Sequence, residues 1–169
     1  EAPTGLPEVR EALFREARKS TRSVAWLGIE DSLIKSTQRP KVILGVKTIR
    51  ALNLQSAKEE PVGYLVLSYD LDTLHESFHH TEGGSQIFRI VDGKGRVLFD
   101  PEPDRVGTLS TVQIAYEDRM APVRMAVDGV ESVVMVRHHR ESGWSLISII
   151  PVEAIEAPVA AIKRNTLLT

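Results

Sequence analysis

Helical periodicity of apolar positions marks three parts of the chain. Val9, Leu13 and Ala17 recur every four residues with charged residues between them, which predicts an amphipathic helix over residues 8–19. The same spacing recurs in two further segments, residues 72–80 and 151–165. In the first of these, Asp72 is placed to cap the helix N-terminus.

Seven segments have the β-branched and apolar composition of strands. They are residues 22–29, 41–52, 63–71, 86–92, 96–100, 131–139 and 143–150. Residues 63–71 are apolar on both faces, which predicts a well-covered strand. The polar residues 53–61, which end in Pro61, predict a loop. Residues 111–127 are predicted to be helical with a break at Pro122.

Two pairs of consecutive strands are predicted to form β-hairpins. A Gly-Lys-Gly turn lies within residues 86–100, and an Arg-Glu-Ser turn lies within residues 131–150. The predicted order is helix, three strands, helix, hairpin, helix, hairpin, helix. Because strands and helices do not alternate strictly, we expect the α+β class with a mostly antiparallel sheet flanked by helices.

Composition excludes several kinds of protein. The 169 residues include no cysteine, which excludes disulfide scaffolds, Cys-ligated zinc and thiol catalysis. A net charge of -2 argues against a dedicated nucleic-acid binder. No segment approaches the roughly 20 apolar residues of a membrane span, and the N-terminus does not have the pattern of a signal peptide. Because the chain begins with Glu1 and not Met, we interpret it as a fragment.

One short motif points to metal chemistry. Residues 75–79 match a zinc-protease signature, in which His75 and His79 would bind zinc and Glu76 would activate a water molecule. No third ligand follows at a familiar spacing and the predicted helix is short. We therefore expect an accidental match, with no catalytic residue, cofactor or tightly bound metal.

Four stretches, in order, resemble the Cache domain, a PAS-like extracytoplasmic sensor domain of bacterial transmembrane receptors. They are PVGYLVLSYDLDTLHESF, IFRIVDGKGRVLFDP, SGWSLISIIPVEAI and APVAAIKRNTLL. The second is similar to the family's hairpin around an Asp-x-x-Gly turn, and the third to its Gly-Trp strand that ends in Ile-Pro before a helix. The resemblance covers about residues 20–165.

The resemblance implies a double-Cache arrangement in which the distal module is incomplete. Residues 1–71 would be the helix and strands of a membrane-distal module, and residues 72–84 a connector helix. Residues 85–150 would be the membrane-proximal PAS-like module. Residues 151–169 would be an output helix that leads to a membrane span, bent at Pro158.

The function that the resemblance implies is small-molecule sensing outside the inner membrane, without catalysis. The parent would be a histidine kinase, a diguanylate cyclase or a chemoreceptor, attached to the inner membrane through flanking spans and dimeric. Amino-acid-sensing relatives carry an Arg, a Tyr and an Asp where this chain has Val24, Leu27 and Ser68. We therefore do not carry the amino-acid specificity over.

Six residues are the candidates for ligand binding. They are Trp26, Tyr69, Arg89, Tyr116, Arg137 and His139. Arg89 interrupts an apolar strand, so it needs either an anionic ligand or an internal partner such as Glu117 or Asp118. Alternation along the strands places Arg137 and His139 on one side, and we expect Arg89 to share it, with Tyr116 near its rim.

Purely structural roles for these residues stay open as alternatives. Trp26, Tyr69, Tyr116 and Trp144 could be core aromatics, and Arg137 and His139 could lie at a solvated hairpin tip. A cytosolic PAS-type binding or dimerisation module is the alternative function, and a zinc hydrolase is a remote one.

Overall fold

The computed structural model describes residues 7–20, 23–33, 41–79, 85–112 and 121–156. The elements in this part of the chain are α1 (Pro7–Lys19), β1 (Ala25–Asp31), β2 (Lys41–Asn53), β3 (Lys58–Asp70), α2 (Leu71–His79), β4 (Ile87–Val91), β5 (Val97–Phe99), a 3-10 turn (Pro103–Arg105), β6 (Val123–Val127), β7 (Val130–His139) and β8 (Trp144–Pro151). The strands form a three-stranded sheet in the order β1-β2-β3 and a five-stranded sheet in the order β5-β4-β8-β7-β6. Every pairing between these strands is antiparallel, which confirms the predicted α+β class.

Both faces of the three-stranded sheet are covered in the part where β1 pairs with β2. Val46 of β2 packs with Leu13 and Ala17 of α1 on one face. Ile43 faces the other way and shares a core with α2 and the five-stranded sheet. Both Leu13 and Ile43 are completely buried, and each such side chain contributes about 1.5–3 kcal/mol through removal from water.

Beyond β1, the strands β2 and β3 continue as a two-stranded ribbon. The last pair between β1 and β2 is Ala25 with Val46, whereas β2 and β3 remain paired as far as Asn53 and Lys58. The predicted loop at 53–61 is therefore wrong, because the turn contains four residues and the strand resumes before Pro61. Proline is tolerated there because β3 is an edge strand of this sheet.

The prediction of a well-covered strand at residues 63–71 is also wrong. Leu65 is 47% exposed and Tyr69 is 40% exposed. Strand β3 lies at the edge of the described sheet, so β2 protects only one of its sides. The apolar composition that predicted burial occurs here on a partly exposed strand.

The N-terminus of α2 is capped by the residue that precedes the helix. Asp70 accepts hydrogen bonds from the Asp72 backbone N–H at 3.3 Å and from the Thr73 hydroxyl at 3.2 Å. The prediction that Asp72 is the cap is therefore wrong by two residues. The carboxylate of Asp70 thus accepts from the Asp72 N–H, a backbone donor that has no partner inside the helix.

The two predicted hairpins are confirmed. Residues 87–99 form the β4–β5 hairpin, and residues 130–151 form the β7–β8 hairpin. Strand β8 also pairs with β4, so both hairpins belong to the same five-stranded sheet.

The region from residue 111 to residue 127 does not follow the predicted helix throughout. Residues 123–127 form strand β6, which pairs with β7 across a two-residue turn at Asp128 and Gly129. Both turn residues have positive φ, which suits an Asp-Gly pair in a hairpin. Tyr116, Glu117 and Asp118 lie outside the described residues.

The described chain ends in a short helical segment after β8. Residues 152–156 are helical and Val152 is buried. The rest of the predicted output helix, including Pro158, lies outside the described residues. None of the helices in the described ranges combines the length and apolar character of a membrane span.

Candidate functional site

The two sheets meet at a pair of tryptophans. Trp26 of β1 and Trp144 of β8 have ring centroids 5.2 Å apart and ring planes inclined at 59°. Both rings pack against the core that contains Ile43 and Ile90, one residue from each sheet. Trp26 is therefore part of the contact between the sheets, and a tilted pair of this kind is a favourable aromatic geometry.

Gly45 in the neighbouring strand makes room for Trp26. The two residues are cross-strand partners, and a Cβ at position 45 would lie 2.9 Å from Cε3 of the indole. The ring thus rests directly on the β2 backbone. A side chain at position 45 would displace Trp26 from this position.

An ion pair between a half-buried arginine and a buried aspartate lies at the same boundary between the sheets. Arg96, which follows the β4–β5 turn, donates from Nε to Asp92 Oδ2 at 2.8 Å. Its Nη2 donates to the Leu27 carbonyl oxygen at 2.8 Å, and its Nη1 donates to the Ile29 carbonyl oxygen. One guanidinium therefore joins the turn of one sheet to the backbone of the other. We call this set of contacts the Arg96 clamp.

The backbone of β1 is shaped to accept the clamp. The register with β2 shifts between Trp26 and Gly28, so Leu27 is an extra residue at a β-bulge. Gly28 has φ +79°, and a Cβ there would lie 2.0 Å from Asp92 Oδ2. No side chain fits at position 28 while Asp92 and Arg96 hold their places.

Asp92 is held by the hairpin turn as well as by Arg96. Its Oδ1 accepts hydrogen bonds from the backbone N–H groups of Lys94 and Arg96 at 2.8 and 2.9 Å. The side chain is only 2% exposed. Glu30 of β1 adds an acceptor for Arg96 at 3.1 Å and for Lys94 at 2.6 Å. The clamp is thus a satisfied polar network, which a buried charge requires.

A second buried ionic network surrounds Arg89. The guanidinium donates from Nε to Asp100 at 2.5 Å, from Nη2 to Asp128 at 3.2 Å, and from Nη1 to the Thr111 hydroxyl at 3.4 Å. Arg89 and Asp100 are each 3% exposed. The internal-partner interpretation of Arg89 therefore applies, with partners other than those expected from the sequence.

Around Arg89, the network joins two segments, the connection after β5 and the β6–β7 turn. Thr111 donates to Asp128 Oδ1 at 3.1 Å, and Arg105 donates from Nη1 to Asp128 Oδ2. Arg105 also donates to Glu102 at 2.8 Å. The connection after β5 and the β6–β7 turn are therefore both held at Arg89.

Two groups in this network have shifted pKa values. Burial raises the pKa of Asp128. Hydrogen bonds from Arg89 and Thr111 and the charges of Arg89 and Arg105 together lower it by more, so the pKa lies below its ordinary value. The hydrogen bond with Glu102 raises the pKa of Arg105 against a smaller effect of burial, and Asp128 adds to the rise. Asp128 therefore stays ionised at neutral pH.

The structure does not bring the predicted site residues together. Arg89 pairs with Ile147, and Ile147 pairs with Val136, so these three residues face the same side of the sheet. Arg137 follows Val136 and faces the opposite side. The expectation that Arg89 and Arg137 share a side is therefore wrong.

His139 lies on the side that carries Arg137 and pairs with Trp144. Its Nδ1 contacts the Ser142 hydroxyl at 2.9 Å, and both His139 and Arg137 are exposed. This environment is that of a polar hairpin end. Because Trp144 is its cross-strand partner, His139 is nevertheless a neighbour of the tryptophan pair.

Tyr69 is not a core aromatic. It pairs with Ile43 at the edge of the three-stranded sheet and is partly exposed. Tyr116 lies outside the described residues, so its expected place near Arg89 stays a prediction.

The zinc-signature helix packs its first histidine against the core. The rings of His75 and Phe99 have centroids 5.4 Å apart. Within the described ranges, no group of three or more His, Cys, Asp or Glu side chains is placed to hold a metal ion. His75 therefore has a packing contact in this structure.

The clamp residues were missed in the sequence, although one signal was present. The segment from Asp92 to Arg96 reads Asp-Gly-Lys-Gly-Arg, which we interpreted only as a turn. The turn explains how Asp92 binds backbone N–H groups. It does not reveal that Arg96 contacts Leu27 and Ile29, more than 60 residues earlier.

No protein-family profile matches this chain, and no curated protein matches it in sequence.

Comparison of the fold does find similar structures, and they are sensor domains. The ligand-binding domain of the Pseudomonas fluorescens chemoreceptor CtaA, in complex with L-isoleucine, has a TM-score of 0.61 at 17% identity, over 93% of this chain and 64% of that one. The periplasmic sensory domain of the Campylobacter jejuni chemoreceptor Tlp1 has a TM-score of 0.63 at 13% identity, over 92% and 58%. The extracellular domain of rpHK1S-Z16, named as a histidine kinase, has a TM-score of 0.59 at 12% identity, over 86% and 60%.

At these identities the likeness shows the fold. The chain has the fold of periplasmic and extracellular ligand-binding domains of membrane receptors. It spans less than two thirds of the length of each of these structures.

Proposed function

We propose that this chain is an extracytoplasmic small-molecule-sensing region of a bacterial transmembrane receptor of the Cache family. Residues 1–71 would belong to the membrane-distal module and residues 85–150 to the membrane-proximal one, joined by a connector at 72–84. Residues 151–169 would carry the signal toward the membrane. The parent would be a dimeric histidine kinase, diguanylate cyclase or chemoreceptor.

The observation that carries this proposal is the Arg96 clamp between two antiparallel sheets in a sensor-domain fold. A sensor needs one part that responds to a ligand and a firm connection to the part that reports it. The bulge at Leu27, the glycine at position 28 and the guanidinium of Arg96 supply such a connection. Through these contacts, the position of one sheet depends on the position of the other.

The clamp also defines a route from the first sheet to the end of the chain. Arg96 follows the turn of the β4–β5 hairpin, and β4 pairs directly with β8. Strand β8 ends at Pro151, where the helical segment 152–156 begins. A shift of β1 would therefore reach the C-terminal helix through two hydrogen-bonded strands. A ligand that binds two arrangements of the sheets with different affinity would shift the population between them.

The proposal is tested in the full-length parent protein with the Gly28→Ala variant. A metabolite that raises the melting temperature of the sensing region is first identified, and its effect on the output of the parent is measured. We expect the variant to bind the metabolite within about threefold of the parent affinity and to lose most of the output response, because the clamp cannot form around a Cβ. An output response equal to that of the parent protein would contradict this mechanism.

A further inference from the structure

An open groove lies where α1 ends over the three-stranded sheet. Its volume is about 440 Å³, which is in the range of small-molecule sites. Ala25 and Val46, a buried cross-strand pair, form its apolar floor. Thr48, two residues after Val46 in β2, also lines the groove. The Thr48 hydroxyl donates to the Ala17 carbonyl oxygen at 3.2 Å, which ties the end of the helix to the strand.

Three basic side chains surround this groove. Arg18 and Lys19 come from the last turn of α1, and Arg50 comes from β2. Lys19 has an acidic neighbour, Glu16, at 3.8 Å. Among the described residues, Arg18 and Arg50 form no ion pair. The groove therefore has an excess of positive charge.

Of the three basic residues, Arg50 is the one whose presence cannot be explained by stabilisation of α1. Basic residues in the last turn of a helix offset its partial negative charge, which explains Arg18 and Lys19 without any ligand. Arg50 lies on a strand, so this explanation does not apply to it. It faces the groove because it alternates with Val46 and Thr48 along β2.

We propose that this groove binds a small organic dianion, with Arg18 and Arg50 binding its two carboxylates and the Ala25–Val46 floor contacting its carbon chain. Guanidinium groups suit carboxylates because they offer paired N–H donors. The assignment deepens the proposed sensing function and rests on it. It places the ligand on the face of the sheet that packs against α1, opposite the face that carries Trp26.

The test is calorimetric titration of the chain with glutarate at constant ionic strength. Glutarate carries two carboxylates on a short carbon chain, and its neutral diamide, glutaramide, is the matched control ligand. We expect saturable binding of one glutarate per chain and no binding of glutaramide at the same concentrations. Constant ionic strength is needed because exposed charges are screened by salt.

The decisive variant is Arg50→Gln, with Lys47→Gln as its control. Lys47 is an exposed cation on the same strand, but it faces the other side of the sheet. We expect Arg50→Gln to weaken glutarate binding about tenfold or more, the size of effect of one charged hydrogen bond. Lys47→Gln should change it by less than about twofold, and both variants should keep the parent's melting temperature within a few degrees.

Three outcomes would overturn the assignment. They are equal binding of glutarate and glutaramide, equal binding by Arg50→Gln and the parent chain, and equal weakening by both variants, which would show only a long-range charge effect. A different metabolite that binds independently of Arg50 would overturn the groove assignment while leaving the sensing function intact.

Discussion

Trp26 in the three-stranded sheet and Trp144 in the five-stranded sheet are in direct ring contact, with centroids 5.2 Å apart. The Nε1 atom of Trp144 is buried and has no hydrogen-bond partner within the described part of the chain. The indole of Trp144 is therefore held by apolar packing. The tryptophan pair and the Arg96 clamp join the same two sheets by different interactions.

Replacement of each tryptophan by leucine should show that the pair is energetically coupled. In a double-mutant cycle of Trp26→Leu and Trp144→Leu, we expect a coupling free energy of about 0.5–1.5 kcal/mol, which is typical of aromatic pairs. Urea unfolding of the four proteins measures it. Strict additivity of the two single changes would mean that the ring contact does not stabilise the junction.

Alanine at position 28 should destabilise the chain more than alanine at position 129. Both glycines have positive φ, +79° and +84°, so both substitutions strain the backbone. At Gly129 a Cβ would meet no atom within 4 Å, whereas at Gly28 it would displace Asp92 from Arg96. We expect Gly28→Ala to lose about 2 kcal/mol more of unfolding free energy, the cost of a broken charged hydrogen bond. Equal losses in denaturant unfolding would show that strain alone matters at position 28.

Arg89→Met should destabilise the chain by about 3–5 kcal/mol, because it leaves the buried carboxylate of Asp100 without its cation. The double variant Arg89→Met/Asp100→Leu should recover part of this loss, since no buried charge then remains unpaired. Arg137→Met, on the exposed opposite side of the sheet, serves as the control and should change stability by less than about 0.5 kcal/mol. Unfolding in guanidinium chloride measures all three. A mild effect of Arg89→Met would mean that Arg89 is not a structural cation and would restore it as a candidate for ligand binding.

Asp128 should make stability fall in acid. Its pKa is lowered in the folded chain, so the stabilisation is complete above the unfolded value of about 3.9 and is lost as the pH falls through the lower folded value. Asp128→Asn keeps a residue that tolerates φ 53° and removes this titration. We expect the difference in unfolding free energy between the parent and the variant to shrink between about pH 5 and pH 3. A difference that stays constant over this range would contradict the linkage.

The sequence predicted those features whose causes are local. The β4–β5 and β7–β8 hairpins depend on β-branched strands and on turns within a few residues, and both were predicted correctly. The ribbon formed by β2 and β3 was only partly predicted. Its β2 strand falls largely within the predicted strand 41–52, whereas residues 58–61 of β3 are polar and exposed and end in Pro61, a composition that indicates a loop.

The polar networks could not be predicted because their partners are far apart in the chain. Arg89 was identified as a cation that needs a partner, but Asp100 and Asp128 become its partners only through the sheet and the turn that carry them. Nothing in the sequence distinguishes Arg96, because an arginine after a turn is ordinary on a protein surface. Its contact with β1 depends on how the two sheets pack.

The strand order of the five-stranded sheet has a consequence for synthesis of the protein. Among the described strands, β8 is the last in the chain and lies between β4 and β7, so β4 has only β5 as a described neighbour until residue 151 is synthesised. The described strands of the other sheet are complete by residue 70. On a chain that grows at about 5–20 residues per second, the first sheet therefore has several seconds in which it can form before the second closes. The bulge at Leu27 can therefore form before the second sheet closes around Arg96.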